Sequence, residues 1–493
     1  MPPNIVAMVV DQMRGDSWGG EGHPVVETPN LDNLARQGVV FRYAYSAAPS
    51  CIPARASIFT GMSPASHGRV GYQDHVPWHY DRLLASELAQ GGYHTQAVGK
   101  LHVYPTRSLM GFHNVVLHDG YMHFSRKKEE PWAASWDATD DYLPWLRQRA
   151  GAEVDLLDLG LDCNSATTTR PWALSEVLHP TNWVVTQSID FLRRRDRERP
   201  FFLWMSFVRP HPPFDPPPAY LDWYLGQALP APALGDWVDV GGFMEGGMNP
   251  VTRRGVIAEP RRQRAQAAYY ALISHLDAQI GRFLQALYEY GVLHNTLIVF
   301  VSDHGEMLGD HLWFAKALPY EGSAHIPLVL SDPGGQLGLR RGTVASGVVE
   351  LRDIMPTLLD VADLPIPSTV EGKSLIPLAR GEAQAVRDYL HGEHAYGRES
   401  NHYVTDGREK YIWWSQTGVE QFFDLTQDPK EERDLARDPR YRATIADWRR
   451  RLIEELASRE EGYADGEQLI AGRPPKACLS HVLGASGGSP DRT

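Results

Sequence analysis

The feature that most constrains the fold of this chain is a series of short apolar runs that alternate with segments of helical periodicity. The runs at residues 4–10, 201–208 and 296–301 contain no charged side chain. Continuous apolar runs of this length are typical of strands that are buried on both faces of a parallel sheet. We therefore expect an α/β fold in which a large, mostly parallel central sheet is flanked by helices.

The pattern of the sequence changes near residue 375, beyond which short aromatic strands and one helix are predicted. A length of 493 residues also exceeds that of one small domain. We expect a large domain over residues 1–375, a smaller α+β subdomain over residues 376–461 and an extended tail over residues 462–493. The tail could contact a neighbouring subunit, so a homo-oligomer is one possibility.

Charge and hydropathy limit the partners of the protein. The net charge is −13 and no long basic run occurs, which gives no support to nucleic-acid binding. The chain enters its first strand without the segments of a signal peptide, and no uncharged run reaches the ~18–20 residues that a membrane helix needs. We expect a cytoplasmic protein without a membrane partner. Cys51, Cys163 and Cys478 are too few and too scattered for a disulfide framework or a zinc cluster.

Polar residues directly follow two of the predicted strands. Asp11 and Gln12 come after the first apolar run, and Asp303 and His304 come after the run at 296–301. The carboxyl ends of parallel strands meet at one edge of a sheet, where ligands commonly bind. Two carboxylates, an amide oxygen and an imidazole suit a divalent cation, and oxygen-rich surroundings favour calcium, magnesium or manganese over zinc. The alternative is that Asp11 and Asp303 only cap the turns that follow them.

Four short motifs carry the other candidate reactive side chains. They are Cys-Ile-Pro-Ala-Arg at residues 51–55, Gly-Lys-Leu-His at 99–102, Arg-Pro-His-Pro-Pro-Phe at 209–214 and Leu-Gly-Asp-His-Leu-Trp-Phe-Ala-Lys at 308–316. The second and third directly follow predicted strands. Any one of them could be structural, because short motifs also match by accident. Their common order along the chain makes a joint function the better interpretation.

Together these segments resemble the type I, formylglycine-dependent sulfatases of the alkaline phosphatase superfamily, close to bacterial arylsulfatases and phosphonate monoester hydrolases. The resemblance spans about residues 4–436. It implies that a formylglycine-generating enzyme converts Cys51 to 3-oxoalanine (formylglycine), whose hydrate is the nucleophile. It also implies one divalent metal ion, held by Asp11, Gln12, Cys51, Asp303 and His304. Calcium is the expected ion, with manganese or magnesium as alternatives, because many sulfatases carry an aspartate where Gln12 stands.

The same resemblance implies roles for the remaining residues. Lys100 and Lys316 bind sulfate oxygens, and Arg55 adds to the positive field around them. His211, with Lys316, protonates the departing alcohol, and His102 is the base that removes a proton from the second hydroxyl of the nucleophile. The predicted function is therefore the hydrolysis of a small aryl, alkyl or sugar sulfate.

Two other functions stay open at this point. Gln12 and His304 also resemble the phosphonate monoester hydrolase branch, which would act on phosphonate monoesters or phosphodiesters with the same nucleophile, whereas the pair Lys100 and His102 favours sulfate. A third possibility is a catalytically silent metal- or anion-binding protein in which Cys51 remains a thiol. The leaving group is not indicated; the insertions at 121–178 and 209–260, the C-terminal subdomain and the segment 391–394 are expected to shape its pocket.

Overall fold

The computed structural model describes residues 2–120, 139–151, 164–240 and 251–484. The strands, in chain order, are β1 (Asn4–Asp11), β2 (Gly38–Phe41), β3 (Ala44–Tyr45), β4 (His94–Gly99), β5 (Asn114–Leu117), β6 (Phe201–Pro210), β7 (Thr296–Ser302), β8 (Leu328–Ser331), β9 (Thr343–Ala345), β10 (Val349–Glu350), β11 (Leu390–His394), β12 (Asn401–Thr405), β13 (Glu409–Trp414) and β14 (Glu420–Asp424). The α-helices are α1 (Pro29–Arg36), α2 (Cys51–Thr60), α3 (Pro64–His67), α4 (Leu84–Gln90), α5 (Tyr142–Ala150), α6 (Pro180–Arg194), α7 (Pro218–Leu225), α8 (Glu259–Glu289), α9 (Glu321–Ala324), α10 (Ile354–Val361), α11 (Ile376–Ala379), α12 (Arg442–Leu456) and α13 (Ser480–Gly484).

The central sheet has eight strands in the order β5-β4-β6-β1-β7-β8-β2-β9. Strand β1 lies in the middle and pairs in parallel with β6 on one side and with β7 on the other. Strand β8 runs antiparallel to both of its neighbours, β7 and β2. The sheet is thus mostly parallel, which confirms the α/β fold predicted from the apolar runs.

Both faces of the sheet are covered, because alternate side chains of a strand point to opposite sides. Val6, Met8 and Val10 of β1 belong to an apolar core that includes helices α6 and α8. Ile5 and Val9 of the same strand belong to a second core that includes α2, α4 and α10. This two-sided burial explains why the strand carries no charged residue before Asp11.

The C-terminal part forms a four-stranded antiparallel sheet in the order β11-β12-β13-β14. One face packs on α12 through Trp413, Phe422 and Trp448. The other packs on the large domain, where Tyr403 and Phe423 share a core with Tyr320. Helix α11 packs in a core on one face of the central sheet. The division of the chain between residues 375 and 376 remains a prediction.

The described part of the tail, residues 462–484, packs on the large domain of the same chain. The N–H groups of Val70 and Gly71 both donate to Ala477 O at 3.0 Å, and Leu479 N–H donates to Gly68 O at 2.8 Å. Contact of the tail with a neighbouring subunit stays a prediction. Parts of the predicted insertions lie outside the described residues, and so do Cys163 and the end of the tail. None of the described helices is long and apolar enough to cross a membrane.

Candidate active site

Strands β1 and β7 bring the two predicted polar pairs together. Their register places Val10 opposite Ser302, so the residues that follow leave the sheet side by side. Gln12 N–H donates to Asp303 Oδ1 at 3.2 Å, and Asp303 N–H donates to Val10 O at 3.1 Å. Gln12 has a φ of 72°, a left-handed conformation that non-glycine residues rarely adopt. Asp11, Gln12, Asp303 and His304 are all buried at this edge of the sheet.

Cys51 is the first residue of helix α2, whose side chains are all buried. Its Sγ lies 3.3 Å from His304 Nε2, 3.6 Å from Asp11 Oδ1 and 3.1 Å from Lys316 Nζ. Burial and the charge of Asp11 raise the pKa of this thiol, but Lys100, Lys316 and His304 outweigh them and hold the pKa well below its ordinary value. The site therefore favours a negative charge at the position of the Cys51 side-chain atom.

Four of the five predicted metal ligands form one compact set. Asp11, Cys51, Asp303 and His304 each offer a ligand atom, and these atoms lie within 4.8 Å of one another. Burial and the neighbouring Asp11 raise the pKa of Asp303. A cation relieves such repulsion between buried carboxylates, and two carboxylates with an imidazole suit a divalent ion. These residues therefore fit the metal that the sequence predicts.

Gln12, the fifth predicted ligand, is engaged by other side chains. Its Oε1 accepts a hydrogen bond from Lys316 Nζ at 2.8 Å, and its Nε2 donates to Glu306. Glu306 is itself anchored, because its Oε1 accepts from the N–H groups of Leu308 and Ala315. The Oε1 of Gln12 thus has one of its two lone pairs engaged by Lys316, which leaves one for a metal.

Arg55 lies behind the metal-ligand set. Its Nε donates to Asp303 Oδ2 at 3.0 Å, and its Nη1 donates to Lys100 O and Ser206 Oγ, each at 2.9 Å. The side chain is fully buried. The sequence predicts that Arg55 contributes to the positive field around sulfate; the structure places it where it orients Asp303 and the backbone of Lys100.

A cavity of about 370 Å³ opens above Cys51, and we call it the active-site cavity. Its lining residues are Ser50, Cys51, Tyr72, Lys100, His102, Asp119, Gly120, Asn164, Val208, His211, Pro212, Arg253, Lys316, Ala317, His394, Ala395 and Tyr396. Five of the six predicted catalytic residues are among them, and Arg55 is the exception. The fold thus gathers the segments after β4 and β6, the start of α2 and the loop that carries Lys316 into one cavity.

Two lysine side chains line the cavity together with Cys51. Lys100 Nζ lies 2.5 Å from Asp11 Oδ2, and both side chains are buried. Burial lowers the pKa of Lys100, but Asp11 and Cys51 more than compensate, so the pKa lies above its ordinary value and the side chain is cationic. Lys316 Nζ donates to Gln12 and to Cys51 Sγ. These two positive charges suit the oxygens of an anionic ester.

His102 lies in a loop that Asp119 holds in place. Asp119 Oδ1 accepts the N–H of Leu101 at 2.8 Å and that of His102 at 2.9 Å. His102 Nε2 lies 3.5 Å from Asp74 Oδ1. Burial and Lys100 lower the pKa of His102, but contacts with Asp74 and Cys51 raise it above its ordinary value. A partner carboxylate of this kind strengthens an imidazole as a base.

His211 follows β6, and its backbone is tied to the metal-ligand set. Its N–H donates to Asp11 O at 3.0 Å, and its Nδ1 donates to Pro212 O at 2.7 Å. Burial and the nearby charge of Lys316 lower the pKa of His211 to about 4. In the free protein at neutral pH, His211 is therefore uncharged, with its proton on Nδ1 and the lone pair of Nε2 available.

Several lining residues were not singled out by the sequence. Tyr72, Asp119, Arg253 and Tyr396 belong to no motif, and no local pattern marks them. The segment 391–394 was expected near the pocket, and one of its two histidines lines the cavity. That residue is His394, whose Nε2 lies 2.7 Å from Ser50 Oγ.

Two models of known protein families match this sequence. A sequence model of the Sulfatase family matches residues 3–364. The chain belongs to the sulfatase family. A second model, for the C-terminal region of N-sulphoglucosamine sulphohydrolase, matches residues 309–458. The resemblance drawn from the motifs is thereby confirmed.

Individual relatives of this sulfatase-family chain agree with that placement. An arylsulfatase of Clostridium perfringens is 54% identical over 98% of this chain and 100% of the relative. A multifunctional alkaline phosphatase superfamily protein, PehA of Trinickia caryophylli, is 30% identical over 91% of this chain and 94% of its own. The crystal structure of a phosphonate monoester hydrolase of Agrobacterium radiobacter superposes with a TM-score of 0.75 at 26% identity, covering 92% of this chain and 95% of that one.

Proposed function

We propose that this protein is a sulfatase that hydrolyses a sulfate monoester, with Cys51 as the precursor of its formylglycine nucleophile. The observation that carries the proposal is the position of Cys51 in the active-site cavity. Its Sγ is in contact with Lys316 Nζ, the carboxylate of Asp11 and the imidazole of His304. The arylsulfatase relative at 54% identity supports the same reaction.

The nucleophile requires a covalent change at Cys51. A formylglycine-generating enzyme would supply it, and the hydrated aldehyde then offers two hydroxyls, one to attack sulfur and one whose deprotonation releases the product. Because Cys51 is the first residue of α2 and lines the active-site cavity, the hydrated aldehyde would face that cavity. The cytoplasmic location and a homo-oligomeric state stay predictions.

The divalent metal is the second requirement. Asp11, Asp303 and His304 would hold it, with the residue derived from Cys51, and calcium is the expected ion, with manganese or magnesium as alternatives. When bound, the ion supplies positive charge that offsets the negative oxygens of the ester and favours a deprotonated nucleophile. Arg55 keeps Asp303 in the orientation that this binding needs.

The remaining side chains act on the substrate. Lys100 and Lys316 neutralise the non-bridging oxygens as negative charge shifts during the reaction. His102, strengthened by Asp74, takes the proton from the second hydroxyl. His211 presents Nε2 toward the leaving group and becomes an acid once the negative charge of the bound ester stabilises its protonated form.

A phosphonate monoester hydrolase is the second candidate function. The specific observations in its favour are Gln12 at the metal site and the structural similarity to the phosphonate monoester hydrolase of Agrobacterium radiobacter. Lys100 and His102, the pair that resembles the sulfatase motif, both line the cavity. We infer that sulfate esters are the better substrates.

Two measurements test the proposal. The first is the mass of the proteolytic peptide that contains Cys51, from protein made with a formylglycine-generating enzyme; an aldehyde mass is expected. The second compares kcat/KM for an aryl sulfate and an aryl phosphonate monoester with the same phenol, and we expect the sulfate to react faster. Cys51→Ser is the control: it should retain metal binding and lose multiple turnovers. An unmodified thiol in a fully active enzyme, or turnover by Cys51→Ser, would overturn the mechanism.

A further inference from the structure

The active-site cavity extends beyond the groups that would hold the sulfate. Its lining also includes apolar or aromatic side chains, those of Tyr72, Val208, Pro212, Ala395 and Tyr396. Apolar and aromatic surface of this kind suits the ring of a phenol better than the hydroxyl-rich faces of a sugar. The cavity volume of about 370 Å³ leaves room for one ring with a substituent.

The charged side chains that line this cavity differ in the groups that they contact. Among the described residues, four side chains with a full charge contribute to the lining: Lys100, Asp119, Arg253 and Lys316. Lys100 contacts Asp11, and Lys316 contacts Gln12 and Cys51. Asp119 Oδ1 accepts two backbone N–H groups. Arg253 is therefore the lining cation whose side chain contacts none of the predicted catalytic or metal-ligating residues.

The Arg253 side chain is held in position by an aromatic residue. Its Nη1 donates to Tyr396 OH at 2.8 Å, and its Cζ lies 5.7 Å from the centre of the Tyr396 ring. Tyr396 is anchored in turn, because its N–H donates to Ser400 Oγ at 2.8 Å. An arginine that is oriented in this way loses less freedom when it binds a ligand.

The backbone of Arg253 also forms a hydrogen bond with the loop that carries Lys316. Arg253 O accepts the N–H of Phe314 at 2.9 Å, two residues before Lys316. Within residues 2–120, 139–151, 164–240 and 251–484, no carboxylate forms an ion pair with Arg253. The Arg253 side chain is exposed and lines the cavity, so its guanidinium is available to an anionic ligand.

We infer that Arg253 is a specificity-determining residue, and that the preferred substrate is the sulfate ester of a phenol that carries a carboxylate. The inference rests on the proposed function and names its substrate class. The guanidinium would bind the carboxylate through charge-assisted hydrogen bonds while the apolar walls hold the ring. The sulfate group would remain between Lys100 and Lys316.

The test compares matched esters on the converted, metal-loaded enzyme. Aryl sulfates with a carboxylate, meta or para to the ester oxygen, are measured against the corresponding carboxamides, which are neutral and similar in shape. We expect the wild type to prefer the carboxylate in kcat/KM. In Arg253→Gln the ratio of the two kcat/KM values should fall about 10- to 100-fold, mainly through KM, and Arg253→Lys should restore part of it.

Arg254→Gln is the matched control. Arg254 is the next residue along the chain, but its guanidinium stacks on Trp313 at 4.6 Å and lines a separate groove. We expect this variant to keep the wild-type ratio. A ratio that is unchanged in Arg253→Gln, or that falls equally in Arg254→Gln, would overturn the inference.

The two proposals can fail separately. Hydrolysis of 4-nitrophenyl sulfate by the wild type reports on the proposed function alone, since that ester carries no carboxylate. If the wild type cleaves this ester but all variants show the same ratio of carboxylate to carboxamide, only the inference about Arg253 is wrong. If the converted, metal-loaded wild type cleaves no sulfate ester, the proposed function is wrong and the inference falls with it.

Discussion

Arg55 Nε donates a hydrogen bond to Asp303 Oδ2 at 3.0 Å, and neither side chain is exposed to solvent. The same guanidinium holds Lys100 O through Nη1. One arginine in the Cys-Ile-Pro-Ala-Arg motif thus positions both a candidate metal ligand and the loop that carries Lys100, the proposed sulfate-binding lysine. This arrangement explains why a residue that does not line the cavity belongs to the motif.

Replacing Arg55 should therefore damage stability and metal binding together. In Arg55→Gln, Asp303 becomes a buried carboxylate without its cation, and we expect the free energy of unfolding to fall by about 3–5 kcal/mol. Chemical denaturation measures this loss, and metal titration should show weaker binding. Arg450→Gln is the control, because Arg450 forms a pair with Glu454 in which both side chains are more than half exposed, so its loss should have no measurable effect. Wild-type stability in Arg55→Gln would contradict the positioning role.

Replacing Lys100 should lower catalytic activity more than it lowers metal affinity. Its Nζ lies 2.5 Å from Asp11 Oδ2, and in Lys100→Met the ester loses one cation while Asp11 remains to bind the metal. We expect kcat/KM for an aryl sulfate to fall about 10²- to 10³-fold, the usual effect of removing one donor to a developing negative charge. Steady-state kinetics measure the fall, and the metal-dependent shift in Tm should persist. The exposed Lys373→Met is the control; an equal loss in both variants would argue against a direct role for Lys100.

Metal binding by the unconverted protein should strengthen as pH rises. Burial and Lys316 lower the pKa of His304, but Asp303, Cys51 and Asp11 raise it from 6.5 to about 9 when no metal is bound. The protonated imidazole stabilises the metal-free fold fully below pH 6.5, and this contribution disappears as pH rises through about 9. An imidazole must be neutral to bind a metal, so the proton competes with the metal at every pH below about 9.

The measurement is the increase in Tm caused by calcium or manganese across that range. We expect the increase to grow as pH rises from 6.5 and to level off above about 9, the pKa of His304 in the metal-free protein. In His304→Asn this pH dependence should largely vanish. A metal-induced shift that is constant with pH in the wild type would show that His304 does not bind the metal.

His211 should matter most for esters with poor leaving groups. Because burial and Lys316 lower its pKa to about 4, it must take up a proton with the anionic substrate before it can act as an acid. In His211→Gln we expect esters of weakly acidic alcohols to lose about 10²- to 10⁴-fold in kcat, whereas 4-nitrophenyl sulfate, whose phenol leaves as an anion, should lose far less. A series of aryl and alkyl sulfates measures the dependence. An equal loss for every ester would remove His211 from the proton transfer.

Much of the fold and part of the site could be predicted from sequence because the signals are local. Uncharged apolar runs predict buried parallel strands, and the polar residues after them must emerge at one edge of the sheet. This reasoning alone brings Asp11 and Asp303 together across 292 positions of chain. The motifs around Cys51, Lys100, His211 and Lys316 then identified the family.

The sequence by itself determined the α/β architecture, the family and five of the six predicted catalytic residues that line the active-site cavity. Only the tertiary structure decided what each of them contacts: that Arg55 turns toward Asp303, that Lys316 engages Gln12, and that Arg253 and Tyr396 meet at the cavity wall. The physical reason is that strand and helix patterns repeat within a few residues, whereas these contacts join distant segments whose paths depend on packing throughout the core.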